Sequence, residues 1–86
     1  MPVIARFYGI VIRMLFLRSM EARFHAFYGD NELVVGLTPL RIIQGEAPGQ
    51  IAALVLAWAA NHQTELLGAW HNLGAAHKPA TIAPAI

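Results

Sequence analysis

His25, His62 and Glu65 are the residues of this chain from which a metal or acid–base centre could be assembled. His62 and Glu65 stand three apart, so on a helix they share a face. Carboxylate and histidine at this helical spacing supply two ligands to one ion in the carboxylate-bridged metal bundles. Two ligands are not a site: a catalytic zinc takes three protein ligands and a water. The third would have to be His25, in "RFHAFYG". One reading is therefore a degenerate metal-dependent enzyme, nuclease-like, using His25, His62 and Glu65. The plainer reading is two polar links, with His25 half-buried and bonded to a neighbouring strand or helix, and His62 with Glu65 fixing helix to sheet. We expect the plainer one, with no metal and no cofactor, because His62 lies on the apolar stripe of its helix. Other chemistries lack their parts. Ser19 is the sole serine, and nothing around it resembles a nucleophile elbow. Gly45 and Gly49 are too sparse for a phosphate loop. Asp30, Glu32 and Glu46 fall at turns, where solvated carboxylates are expected.

The elements that must position these groups follow from hydrophobic periodicity. Residues 3–17 are rich in Val, Ile, Phe and Tyr and carry no helix cap, which predicts one long first strand. Gly9 within it predicts a bulge, which would bring Arg6 and Arg13, of opposite parity, to one face. "RSMEAR" reads as a loop, "FHAFY" as a second strand, "GDN" as a turn, "ELVVGL" as a third strand and "RIIQG" as a fourth. Strand alternation puts Arg23, His25 and Phe27 on one face and Phe24, Ala26 and Tyr28 on the other. From Pro48 the period changes: Ile51, Leu54, Val55, Trp58, His62, Glu65, Leu66, Ala69 and Leu73 follow i, i+3, i+4. That predicts a helix over about 48–74, ended by Gly74 as the C′ residue, either continuous or broken near "NHQT", then an extended tail over 75–86. The fold class is α+β, a single domain over 1–86: an antiparallel sheet of about four strands with one long C-terminal helix across one face. Trp58 is the expected core anchor.

Composition bears on partners. In 86 residues, 57% are hydrophobic and only 13% charged, about half the usual charged share. So little charge leaves apolar surface to be covered by something else. The expected partner is a second copy or a small protein, with Ile10, Ile12, Phe16 and Trp70 as interface candidates. A net charge of +1 gives no bulk attraction to nucleic acid. Arg6, Arg13, Arg18, Arg23 and Arg41 nevertheless share the sheet half with Phe7, Tyr8, Phe16 and Phe24, so single-stranded nucleic acid is the third reading. The longest apolar run, "IAALVLAWAA", is half a membrane span. With no cysteine, a cytoplasmic location and no membrane association are expected.

Four blocks, "MPVIARFYGIVIRM", "FHAFYG", "ALVLAWAANHQTELLGAW" and the closing "IAPAI", together resemble the 4160 family of domains of unknown function. The resemblance covers nearly the whole chain in order. It implies a small bacterial or archaeal protein with no established reaction. It also implies a setting, since members are often encoded beside small proteins of the 2442 family of unknown function, as in a toxin–antitoxin-like or regulatory pair. In that family the loop before Phe-His-Ala carries further histidines and prolines. Here it reads "RSMEAR", with Arg23 in the place of a histidine, and His25 alone remains of that cluster. The function expected on these grounds is a small non-catalytic protein–protein interaction module.

Overall fold

A computed structural model of the chain describes residues 1–85. Five strands, β1 (Val3–Phe7), β2 (Ile10–Arg13), β3 (Arg23–Tyr28), β4 (Asn31–Leu37) and β5 (Leu40–Glu46), precede two helices, α1 (Gly49–Asn61) and α2 (Gln63–Gly74). The strands form an antiparallel meander in the spatial order β1-β2-β3-β4-β5. The α+β class stands, but about four strands become five and the one long helix becomes two.

The extra strand comes from a turn where a bulge was expected. Tyr8 and Gly9 both take positive φ, 50° and 76°. Two such residues make the tight type I′ connection whose twist suits a hairpin. Phe7 therefore faces Ile10 and Arg6 faces Val11. Val11 and Arg13 share a face, so Arg6 and Arg13 also do, through the hairpin register. A register shift does occur, but between Val3 and Ala5.

The second hairpin turns on Gly29 (φ 55°) between Tyr28 and Asn31. The third turns at a cis Thr38–Pro39 bond between Leu37 and Leu40. The register of the last pair shifts between Val34 and Val35. Beyond the shift Gly45 (φ 94°) faces Leu33, and a Cβ there would stand 2.0 Å from the Glu32 carbonyl oxygen. No other residue fits that position without moving backbone.

One face of the sheet carries Ile10, Ile12, Phe24, Ala26, Leu33, Val35 and Leu37, all buried against the helices. Trp58 is 2% exposed, its ring centre 5.0 Å from that of Phe7 and 6.0 Å from that of Phe24. α1 buries Val55, Trp58 and Ala59, and α2 buries Leu66, Ala69 and Trp70. A straight helix over this span would run about 39 Å, longer than the 34 Å maximal extent of the fold. The break at His62 (φ −126°, ψ 21°) shortens it. There the His62 N–H bonds back to Ala59 O, and the Gln63 side chain donates to Leu37 O. The bend carries Trp70 onto Phe16, ring centres 4.9 Å apart.

Gly74, expected as the C′ residue, is the last residue of α2. A Cβ on it would stand 2.8 Å from the Phe16 ring, so glycine is needed for close packing. The C′ position is Ala76, at φ 60°, with Ala76 N–H bonded to Leu73 O and His77 N–H to Asn72 O. These two bonds are the paired closure of a Schellman motif. From 77 to 85 the tail has neither helix nor strand. Ile82 returns it to the core, 6% exposed, with its N–H on Ile4 O of the edge strand β1.

Candidate functional site

With the helices on one side, the other face of the sheet is open, and strand register orders its side chains into three rows. One runs Arg6, Val11, Phe27, Glu32, Glu46; the next Val3, Arg13, His25, Val34, Gln44; the third Arg23, Gly36, Arg41. The centre is Val11 and Phe27, both half-buried, with His25 beside them and Val34 buried beneath. Arg6 and Arg13 stand on β1 and β2 and Glu32 and Glu46 on β4 and β5, while the third row places Arg23 on β3 and Arg41 on β5.

His25 is held within this face. Its Nδ1 donates to Glu32 Oε2 at 2.8 Å, because a carboxylate can only accept. That leaves Nε2 as the acceptor of the neutral ring. The ring lies nearly parallel to Phe27, 12° between planes and 6.2 Å between centres. Beside it is a shallow recess of about 370 Å³ lined by His25, Glu32, Val34, Gln44 and Gly45. Glu32 was expected to be a solvated turn residue. The signal for it was the two-residue turn: once Tyr28 faces Asn31, Glu32 falls opposite Phe27 and diagonal to His25.

Glu21 is the second carboxylate with a partner that the sequence did not supply. Its Oε1 accepts from Arg41 at 2.7 Å and lies 4.0 Å from Arg23. Gly36 lets Arg41 cross the sheet, since a Cβ there would be 3.2 Å from the Arg41 guanidinium. The loop that carries histidines in the family resemblance here ties two arginines instead.

His62 and Glu65 do form a pair, Nδ1 to Oε1 at 2.7 Å. They stand on the helical side, where the His62 ring is 5.4 Å from the core ring of Trp58. His25 is on the opposite face of the sheet. The set His25, His62 and Glu65 is therefore not brought together, which corrects the reading that they converge on one ion. Alternation forces this, because Phe24 and Ala26 face the helices and His25 cannot. Among the described residues no group of three or more His, Asp or Glu side chains could hold a metal ion.

The four interface candidates also need correction. Ile10 and Ile12 are 1% and 0% exposed within one chain, because the hairpin turns them toward the helices. Trp70 is 6% exposed and Phe16 half-buried, packed on each other. Ile10, Ile12 and Trp70 offer no free surface, and Phe16 is partly covered by Trp70. Phe7 and Phe24, expected beside the arginines, also face the core, and the aromatic that accompanies the arginines is Phe27.

A second cleft, of about 370 Å³, lies on the helical side between Tyr8, Leu54, Ala57, Trp58, Asn61, His62, Pro84 and Ala85. Among the described residues no helix is long and apolar enough to cross a membrane.

The fold is a small α+β arrangement, a five-stranded antiparallel meander backed by two helices, with one His–Glu pair on each face of the sheet. Residues 9–71 match the family model described as a domain of unknown function, DUF4160. The match spans well over half of the chain, which belongs to that family. No curated protein and no solved structure matches it.

Proposed function

We propose that this protein is a non-catalytic interaction module that works through the open face of its sheet, and that a second copy covers that face. The observation that carries this is the ordering of the face. An apolar centre is ringed by charge, the anatomy of an interface core and rim, and one row runs from Arg6 at one edge to Glu46 at the other. A two-fold axis parallel to the strands lays Arg6 over the Glu46 position of the second copy and stacks Phe27 on its counterpart. The face is then self-complementary, as an isologous dimer requires. The low overall charge supports the same reading.

Light scattering at tens of micromolar tests it. The expected mass is that of a dimer. Phe27→Asp should give a folded monomer. Arg6→Glu and Glu46→Arg should each weaken the dimer, and the double variant should restore it. A wild-type monomer under these conditions refutes self-pairing. Recovery instead of a stable complex with a small protein of the 2442 family would reassign the face to a regulatory pair.

Single-stranded nucleic acid is the second reading, favoured by the placement of Arg6, Arg13, Arg23 and Arg41 with Phe27 on one face. Glu21, Glu32 and Glu46 lie at that same face and offset most of the charge. Oligonucleotide binding that falls steeply with salt would support it; its absence at low salt would remove it.

A further inference from the structure

The tail and the cleft on the helical side fit each other. Trp58 Nε1 donates to Ala83 O at 2.8 Å, Ile82 N–H donates to Ile4 O at 2.9 Å, and the Ile82 side chain is buried. Pro84 and Ala85 form one wall of the cleft, with Tyr8 and Trp58 among the residues that complete it. An indole N–H on a carbonyl next to proline, beside aromatic rings, is how aromatic grooves take extended proline-containing segments. Tyr8 is held in this wall at a φ of 50°, where asparagine is the preferred turn residue. A bulky residue in that region signals that its side chain serves a purpose.

The segment that carries the tail is held at Pro79, which is buried, and is exposed on either side of it. Residues 75–81 have no helix or strand, and their second residue, Ala76, carries a Cβ in the left-handed region at φ 60°. A strained hinge of this kind favours exchange of an element between identical chains. About seven residues span up to roughly 23 Å when extended, enough to reach a neighbour. About 370 Å³ of open space lies beside the docked tail.

We propose that the seat of the tail beside this cleft, between Ile4 O and Trp58 Nε1, is a recognition groove for an extended Ile-Ala-Pro segment, and that its occupant in trans is the tail of a second copy of this chain. Every contact made in cis is available unchanged to the tail of another copy, so exchange is set by concentration. A short flexible tether presents its own segment at roughly millimolar effective concentration, and tails exchange when the protein approaches that level. The groove lies on the helical side and shares with the open sheet face only the identity of the partner.

Paramagnetic broadening between chains tests this on the full chain. The protein has no native cysteine, so Thr81→Cys takes a single spin label at an exposed position. Labelled chain is mixed with an equal amount of ¹⁵N chain at about 1 mM, and taken through one unfolding and refolding cycle. The expected result is loss of intensity at the Trp58 indole and at the Tyr8 and Asn61 amides of the ¹⁵N chain. Tyr8→Asn in the ¹⁵N chain, which suits the turn and keeps the hairpin, should abolish that loss. Full intensity at these groups in the mixture overturns the proposal. Broadening confined to Phe27, Val34 and Gln44 also overturns it, while supporting contact through the open face. Unchanged broadening in the Tyr8→Asn chain overturns the role of the groove.

Discussion

Trp58 joins more of this molecule than any other side chain described above. It packs on Phe7 and Phe24, lies under His62 and holds the tail through Ala83 O. Replacing it with alanine removes a buried ring and leaves a cavity between sheet and helix. Losses of this type run about 3–5 kcal/mol, most of the stability a domain this small has. Trp58→Ala is expected to lose cooperative thermal unfolding, and a sharp transition near the wild-type temperature would show that the tail and α1 repack without it. Gly45 makes the opposite demand. A Cβ there would overlap the Glu32 carbonyl oxygen at 2.0 Å, with φ already at 94°. Gly45→Ala should destabilise by roughly 1–3 kcal/mol, read as a lower denaturation midpoint at unchanged slope.

The end of α2 holds an alanine where glycine would suit the conformation better. Glycine is the usual C′ residue because the left-handed region costs an L-residue roughly 1–2 kcal/mol. Ala76 holds that position, with both closing bonds made. Ala76→Gly should therefore raise stability, by about 0.5–1 kcal/mol once the added freedom of the unfolded chain is counted. For a domain of this size that is a rise of several degrees in Tm, since 1 kcal/mol is worth roughly 4–8 °C. A lower Tm would mean that the two closing bonds do not hold the terminus. The break between α1 and α2 has a different origin. Nothing in local propensity demands it at His62; length and the reach of Trp70 to Phe16 do.

At the scale of the whole molecule, the sheet separates two His–Glu pairs that a single ion would need on one side. His25 with Glu32 occupies the open face, and His62 with Glu65 the helical one. Each pair is a two-group site with its histidine Nδ1 already engaged. Titration calorimetry with zinc is expected to find no stoichiometric site of micromolar affinity. Such a site, lost in both His25→Ala and His62→Ala, would require the two faces to meet between chains, and would restore the metal-enzyme reading.

The sequence by itself determined which face of each strand is apolar, where the helical period begins, and that Trp58 belongs inside, because side-chain periodicity is local and burial follows it. It also carried the family, through ordered blocks that survive despite the altered loop. It did not show that Tyr8 and Gly9 form a turn, since tyrosine lacks the usual preference for positive φ and the flanking residues are all good strand formers. That one turn sent Ile10 and Ile12 inward and removed them from any interface. The pairing of Glu32 with His25, of Glu21 with Arg41, and the seating of Ala83 on Trp58 were decided only by the tertiary structure. Each joins side chains or backbone across strands, loops or the tail, and depends on register and chain direction, which residue types alone do not encode.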